Sequence, residues 1–162
     1  MIFLTVGTQF PFDRLVRAVD DIFGQGLIDE ELFAQTGESS YKPRNFEAVL
    51  SLEKRNFDKH FRQASCIISH AGIGTISMAM ECGKPLLVMP RLKKYGEVVN
   101  DHQAAIAKRF SELGHILAVS NAKDLPDGIC RLKNFVPKER KANPEAVVNR
   151  IRCFLNSLQS EH

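Results

Sequence analysis

The segment Ser69–Thr75, which reads Ser-His-Ala-Gly-Ile-Gly-Thr, contains the residue types best suited to binding a phosphate. Gly72 and Gly74 have no side chain, so the main chain there can approach an anion closely, and Thr75 adds a hydroxyl. The segment follows the apolar run Cys66–Ile68 and precedes a helical pattern, which predicts a strand, a loop and a helix N-terminus. A glycine turn that serves only strand-to-helix packing is the alternative interpretation.

Two further loops are predicted at the same edge of a sheet, at residues 7–11 and 90–103. Gly7 and Thr8 follow the apolar run Ile2–Val6, and His102 and Gln103 begin a predicted helix. A helix N-terminus carries about half a positive charge, so several that converge can hold a diphosphate without a metal. The alternative interpretation of His102 and Gln103 is an ordinary surface position near a helix cap.

Two groups of acidic residues are possible metal ligands. Asp20 and Asp21 lie on a predicted helix and Asp29–Glu31 in a predicted turn, neither at the carboxyl edge of the sheet. We interpret both groups as solvated surface and predict no metal. The four cysteines have no Cys-x-x-Cys spacing, which argues against a zinc site and favours a reduced, cytoplasmic compartment.

The elements that must position these residues alternate along the chain, because short apolar runs are separated by segments of helical period. This pattern predicts an α/β fold, a Rossmann-like parallel sheet with crossover helices. Strands are predicted at residues 2–6, 32–35, 48–50, 66–68, 85–89 and 116–119. Beyond a first helix with Leu15, Val16, Val19, Ile22 and Phe23 on one face, helices are predicted at 57–64, up to residue 82, at 101–113 and at 144–158.

Two of these helices carry more detailed predictions. Asp101 is expected to cap the helix at 101–113, with Ile106, Phe110 and Leu113 facing inward and Gly114 just past its end. The terminal helix at 144–158 presents an apolar stripe at helical spacing, made of Val147, Ile151, Phe154, Leu155 and Leu158. Either the domain's own sheet or a partner must cover this stripe.

Length and composition limit the remaining possibilities. A chain of 162 residues with 44% hydrophobic and 25% charged residues fits one globular domain, here residues 1–162, with its own core. The net charge of +3 comes without a basic stripe, so nucleic acid is not an expected partner. The longest apolar runs fall far short of the roughly twenty residues that span a bilayer.

Together these motifs resemble the C-terminal-domain family of glycosyltransferase family 28. The likeness covers about residues 1–120, and the segments that carry it are Phe3–Val16, Ser69–Thr75, Gly83–Pro85, Pro90–Arg91, Gly96–Glu97 and Asp101–Gln103. Within the family, the match is to small single-domain members. These are the catalytic subunit of the eukaryotic dolichol-linked N-acetylglucosaminyltransferase and its bacterial capsule and exopolysaccharide counterparts.

The resemblance implies the donor-binding half of a GT-B glycosyltransferase, a UDP-sugar-dependent hexosyltransferase that inverts and uses no metal or other cofactor. It implies a diphosphate site at glycine-rich loops and helix N-termini, here Gly7, Thr8, Gly72, Gly74 and Thr75. It places His102 and Gln103 near the sugar and makes Glu97 a partner for a sugar hydroxyl.

The resemblance also implies a partner, since a complete enzyme of this architecture has two Rossmann-like domains and this chain has room for one. A separate membrane-anchored subunit would bind the lipid-linked acceptor and recruit the chain to the cytoplasmic face of the membrane. The implied pathways are glycan, capsule or exopolysaccharide assembly. The terminal helix at 144–158 is the implied docking element.

Two positions depart from the family pattern. Long two-domain members grip the ribose hydroxyls with a carboxylate, and the matching residue here is Met78, with Glu81 one turn further on as a substitute. Bacterial relatives often carry a His after the Gly-Glu pair, where this chain has Val98. The nucleoside contact and the sugar preference are therefore expected to differ from those relatives.

Two rival functions fit parts of the sequence. Gly72, Gly74 and Ser77 nearly match the dinucleotide fingerprint of nicotinamide-dependent oxidoreductases. The basic residues Arg91, Lys93 and Lys94 would suit a 2′-phosphate. That motif lies in the middle of the chain rather than after the first strand, and Ser77 replaces its third small residue. The other rival is a non-catalytic module that binds a nucleotide-sugar and regulates its partner, which Met78 favours.

Overall fold

The fold alternates strands and helices throughout. The computed structural model describes residues 1–139 and 144–159. In these ranges the strands are β1 (Ile2–Thr5), β2 (Leu32–Gln35), β3 (Glu47–Val49), β4 (Cys66–His70), β5 (Leu86–Met89) and β6 (Leu117–Ala118). The α-helices are α1 (Asp13–Gly24), α2 (Lys54–Gln63), α3 (Ile73–Glu81), α4 (His102–Glu112), α5 (Leu125–Leu132) and α6 (Pro144–Gln159).

All six strands of the described sheet are parallel, in the order β3-β2-β1-β4-β5-β6. Strands β1, β2 and β3 extend in turn to one edge of the sheet, and β4, β5 and β6 extend in turn to the other. Thr5, the last residue of β1, is level with Gln35 of β2 and Ser69 of β4. This is the doubly wound order, and the loops after β1 and β4 diverge at its switch point. The predicted fold class is confirmed.

Helices cover both faces of the sheet, as the alternation of strand side chains requires. Ile2 and Leu4 belong to a core cluster shared with α1 and α5, whereas Phe3, between them, belongs to a second cluster shared with α2, α3 and α4. The inner strands β2, β1, β4 and β5 are therefore buried on both sides, whereas the edge strands β3 and β6 are partly exposed. This burial explains why the inner strands read as continuous apolar runs.

The sequence did not predict α5, because its first half reads as a turn. Pro126 and Gly128 are breaker residues, yet Pro126 lies in the first turn, where its missing N–H costs nothing. A Cβ at Gly128 would lie 3.0 Å from Val119 and 3.1 Å from Leu87. The glycine thus lets α5 pack closely on the sheet.

Two other predictions about side chains were wrong. Asp20 is buried rather than solvated, and its carboxylate accepts hydrogen bonds from the Tyr41 hydroxyl at 2.7 Å and from the backbone N–H of Asn45 at 2.9 Å. It fastens the connection between β2 and β3 to α1. Leu113, predicted to face inward, is 40% exposed just after α4 ends.

The predicted terminal helix forms as α6, and its stripe is not covered. Val147, Ile151, Phe154, Leu155 and Leu158 are between 49% and 62% exposed. Within residues 1–139 and 144–159, no helix is long and apolar enough to cross a membrane. Docking of α6 onto a partner remains a prediction.

Candidate functional site

A cavity of about 450 Å³ opens at the switch point, beyond the carboxyl ends of β1, β4 and β5. Three loops contribute its walls, as expected for an open parallel sheet. We call it the switch-point cavity, and its lining residues are Val6, Gly7, Thr8, Gln9, Phe10, His70, Gly72, Ile73, Gly74, Arg91, Val98, His102 and Gln103.

The β1–α1 loop begins at Gly7, whose φ of 74° lies in the left-handed region that favours glycine. Gln35, at the end of β2, holds this turn. Its amide Nε2 donates to the carbonyl of Gly7 at 3.1 Å, and its Oε1 accepts from the Thr5 hydroxyl at 2.6 Å. Gln35 is only 2% exposed, so the loop is fixed from beneath by a buried, fully satisfied amide.

The β4–α3 loop presents an uncapped helix N-terminus to the cavity. Gly72 is the N-cap of α3, and it has no side chain to cap the first amides. Those amides keep the N–H groups that a helix cannot satisfy internally, together with the positive end of the dipole. A Cβ at Gly74 would meet no atom within 4 Å, so an anion can approach there.

His70 lies between these two loops and explains why glycine is needed on either side of it. A Cβ at Gly72 would fall 2.2 Å from the imidazole Nε2, and one at Gly7 would fall 3.0 Å from Cε1. Burial first, and the nearby charge of Arg91 second, lower the pKa of His70 to about 4. The ring is therefore neutral at physiological pH.

Arg91 attaches the β5–α4 loop to the β1–α1 loop. Its Nη2 donates to the carbonyls of Val6 and Phe10, both at 2.6 Å, and its Nε donates to that of Pro11 at 3.3 Å. Its own backbone N–H donates to Gln103 Oε1 at 3.1 Å. Arg91 is 3% exposed and lines the switch-point cavity.

Glu97 occupies a different place from the one its predicted role requires. Both of its oxygens pair with Arg14 of α1, through Nε and Nη2 at 2.8 Å, and Oε2 also accepts the Leu92 N–H at 2.9 Å. It lines a separate cavity of about 300 Å³ with Arg14, Tyr95 and Pro11. A direct contact to a sugar hydroxyl stays a prediction, and the carboxylate would have to give up part of this pairing.

The other predicted site residues divide into those that converge and those that do not. Six of them line the switch-point cavity together, namely Gly7, Thr8, Gly72, Gly74, His102 and Gln103. Thr75 lines an adjoining cavity of about 300 Å³ that shares Gly7 and Thr8. Glu81 lies exposed at the far end of α3, roughly 12 Å along the helix from Ile73.

The side chains at the start of α4 do not form the predicted cap. Asp101 stands at the N-cap position but makes no capping bond; its carboxylate instead accepts the Lys93 N–H at 2.7 Å. Asn100 accepts from the His102 N–H at 3.3 Å and also contacts the His102 ring. His102 is exposed, whereas Gln103 is 7% exposed. The 3-10 turn at Lys93–Tyr95 brings Lys93 to Asp101.

Three residues of the site were not assigned to it from the sequence, namely Gln35, His70 and Arg91, although the oxidoreductase alternative gave Arg91 a 2′-phosphate to bind. His70 stands inside the glycine motif, and the two glycines that flank its ring were an available signal. Arg91 follows the strand-ending Pro90, but nothing local tells a buried arginine from a surface one. Gln35 looks like an ordinary strand end. In the described part of the chain, no group of three or more His, Cys, Asp or Glu is placed to hold a metal.

The family model described as glycosyltransferase family 28 C-terminal domain matches residues 1–154. The mouse protein named UDP-N-acetylglucosamine transferase subunit ALG13 is 33% identical over 123 residues, which cover 70% of this chain and 10% of that protein. The Candida glabrata protein of the same name is 36% identical over 87 residues, which cover 52% of this chain and 42% of that protein. The chain thus spans less than half of either relative.

Solved structures agree on the fold. A solution structure of ALG13 superposes with a TM-score of 0.60 at 19% identity, over 89% of this chain and 91% of that one. The glycotransferase of kitacinnamycin gives a TM-score of 0.60 at 20% identity, over 98% of this chain and 39% of that chain. The Acinetobacter baumannii MurG gives 0.55 at 20% identity, over 82% of this chain and 39% of that chain.

Proposed function

The chain belongs to the family defined by the glycosyltransferase family 28 C-terminal domain, and on that premise we propose that it is the donor-binding subunit of a glycosyltransferase. It transfers a hexosyl unit from a UDP-sugar to a lipid-linked acceptor, in glycan, capsule or exopolysaccharide assembly. The printed name of the mouse and yeast relatives, UDP-N-acetylglucosamine transferase subunit, supports a UDP-sugar donor and a multi-subunit enzyme.

The observation that carries this proposal is the convergence of two glycine-rich loops on one cavity. Gly7 and Thr8 face Gly72 and Gly74 across the switch point, and the α3 N-terminus lies beside them. Free amides and a helix dipole are the groups that bind phosphates in folds of this type. Their positive partial charges suit a diphosphate.

We propose an orientation for the rest of the donor from the neighbouring cavities. Thr75, Gln35, Leu52 and Lys54 line the adjoining cavity beside β2 and α2, which we assign to the nucleoside. His102 and Gln103 lie on the opposite side of the switch-point cavity, which we assign to the sugar. Met78, halfway along α3, offers no carboxylate to the ribose, so main-chain and hydroxyl groups are expected to hold it.

The proposed reaction is an inverting displacement. The acceptor hydroxyl attacks the anomeric carbon, the bond from that carbon to the diphosphate oxygen breaks, and UDP leaves with the electron pair. The amides around the cavity stabilise the charge that develops on the departing diphosphate, so no metal is required. The attacking hydroxyl loses its proton to a base that the partner subunit supplies, and binding of both substrates contributes orientation.

The partner is proposed to be a membrane-anchored, acceptor-binding subunit that docks on α6. The support is the exposed stripe centred on Ile151 and Phe154, because contiguous apolar surface of this kind is normally covered. A truncation before Pro144 tests the idea. Loss of association with retained UDP binding supports docking, whereas general unfolding means that α6 belongs to this domain's own core.

Two measurements test the proposed function. Titration calorimetry with UDP, with and without a chelator, is expected to give the same affinity; a strict metal requirement contradicts the mechanism. Transfer to a lipid-linked acceptor is expected from the reconstituted pair only, and it should be lost on His102→Ala. Transfer by the isolated chain would overturn the half-enzyme proposal, and UDP binding with no transfer by the reconstituted pair would favour a regulatory module.

A further inference from the structure

Arg91 is a buried cation whose known partners carry no full charge. Its guanidinium donates to the three carbonyls of Val6, Phe10 and Pro11, and among the described residues no carboxylate oxygen lies within 4 Å of it. Moving a guanidinium out of water is costly unless a negative charge or strong dipoles compensate it. Burial lowers the pKa of Arg91 to about 10, which leaves it charged at neutral pH.

One nitrogen of this guanidinium remains available. Nε and Nη2 make the three bonds to carbonyls, and Nη1 donates to no atom of the described residues. In the same ranges, no side-chain nitrogen or oxygen is both fully buried and without a hydrogen-bond partner. Nη1 therefore keeps access to solvent, and Arg91 lines the switch-point cavity.

The nearby Arg14 is a natural contrast. The two guanidinium groups lie against the same ring of Phe12, Arg14 at 5.2 Å and Arg91 at 4.9 Å from its centroid. Arg14 is neutralised by Glu97 in a two-bond pair and lines a different cavity. Both oxygens of Glu97 are engaged there, so Glu97 acts on Arg91 only through its charge at longer range, and among the described residues Arg91 has no direct counterion.

We propose that Arg91 is an anion-binding residue of the switch-point cavity, with Nη1 donating to the donor's diphosphate and its fixed charge supplying the cation that the amides lack. The proposal rests on the proposed function for the identity of the anion. The three carbonyls hold the guanidinium in position before the ligand arrives, so little conformational entropy is lost on binding. The imidazole of His70 is neutral at that pH, since its pKa is about 4, so Arg91 is the buried charge of the cavity.

The experiment compares Arg91→Gln, Arg91→Lys and the matched control Arg14→Gln by calorimetry with three probes: UDP, uridine and inorganic pyrophosphate. We expect Arg91→Gln to weaken UDP and pyrophosphate by ten- to a hundredfold and to leave uridine within threefold. Arg91→Lys keeps the charge but replaces the planar guanidinium by a point charge. We therefore expect this variant to bind UDP and pyrophosphate about tenfold more weakly. Arg14→Gln should change pyrophosphate binding by less than threefold.

A purely structural role for Arg91 predicts a different pattern, in which all three probes weaken together or Arg14→Gln has the same effect as Arg91→Gln. Either result overturns the proposal, as does unchanged pyrophosphate binding in a folded Arg91 variant. If neither Arg91 variant folds, arginine guanidinium resonances of the wild-type chain decide: those of Arg91 must shift on adding pyrophosphate, and those of Arg14 must not. Pyrophosphate binding through Arg91 without UDP binding would contradict the proposed donor alone.

Discussion

The two sides of the switch-point cavity differ in the groups that form them, which are main-chain groups on one side and side chains on the other. On one side, the loops after β1 and β4 offer main-chain groups, and Gly7, Gly72 and Gly74 owe their identity to the room they leave. On the other side, the β5–α4 loop is held by side chains from distant elements, above all Arg14 with Glu97 and Arg91 with the β1–α1 loop. The first side depends on glycines that have no side chain, and the second depends on which side chains the fold brings together.

The two sides of the cavity are also encoded differently in the sequence. A main-chain site is encoded locally, since a glycine motif after a buried strand already determines where its amides lie. A side-chain site is encoded in pairs more than 80 residues apart, such as Arg14 with Glu97 and Arg91 with Val6. Substitutions on the main-chain side should therefore change ligand affinity and leave the free energy of unfolding unchanged. Substitutions on the side-chain side should change both quantities.

The largest effect is expected at Gly74. Gly74→Val places a branched side chain where the structure has open space, so the fold should persist while phosphate approach is blocked. Losing two or more hydrogen bonds to a charged group, at about 1.5–3 kcal/mol each, should weaken UDP binding by more than a hundredfold. Calorimetry measures the affinity and a urea titration measures stability. A folded variant with normal UDP affinity would refute the main-chain site, and Gly74→Ala serves as the smaller control.

The next effect is the pH dependence of stability that His70 introduces. Its folded pKa of about 4 lies below the unfolded value near 6.5, so the unfolded chain takes up the proton first. The stabilisation is complete above pH 6.5 and is lost as the pH falls towards 4, by roughly 3 kcal/mol. Urea titrations at several pH values measure it, with His70→Gln as the reference, because carboxylates such as Asp20 titrate in the acid range too. Equal pH dependence in both proteins would contradict the assignment.

On the side-chain side, the Arg14 and Glu97 pair should couple stability to binding. Arg14→Gln or Glu97→Gln leaves one partly buried charge unpaired, which should cost about 2 kcal/mol, and the double variant should cost less than the sum of the singles. UDP and UDP-sugar affinities should both fall by less than threefold, because the loop loses an anchor that lies outside the switch-point cavity. If Glu97→Gln weakens UDP-sugar alone, the carboxylate contacts the sugar instead.

The smallest effect on the isolated chain is expected at His102. This residue is exposed, and its interactions are with Asn100, two positions before it. His102→Ala should change the free energy of unfolding by no more than about 0.5 kcal/mol and UDP affinity by less than threefold. Thermal unfolding and calorimetry measure these quantities. A large loss of stability would mean that His102 anchors the loop, as Arg91 does.

The fold and the main-chain side of the site were predictable for the same reason. Buried parallel strands read as apolar runs such as Leu86–Met89, and glycine motifs follow the strands that end at the switch point. Residue boundaries shifted by a few positions, as in α2, which begins at Lys54 rather than Phe57. Helix α5 was not predicted because Gly128, which is needed for close packing on the sheet, is locally a helix breaker.

The side-chain half of the site was not predictable because its residues have alternatives that only the tertiary structure decides between. Asp101 was expected to cap α4 and instead binds Lys93, and Asp20 was expected at the surface and instead binds Tyr41 and Asn45. A carboxylate pairs with whichever donors the fold brings to it. Sequence position alone does not identify those donors.

The reach of Arg91 has a consequence for the order in which the site is assembled during synthesis. Its bonds to Val6 and Phe10 join residues 85 and 81 positions apart, so the β1–α1 loop cannot gain these anchors until β5 has joined the sheet. Contacts of such long sequence separation form at high cost in loop-closure entropy. A nascent chain that has emerged as far as α3 already contains both glycine loops, but it has no fixed cation between them. The cavity thus acquires its charge only after its shape has begun to form.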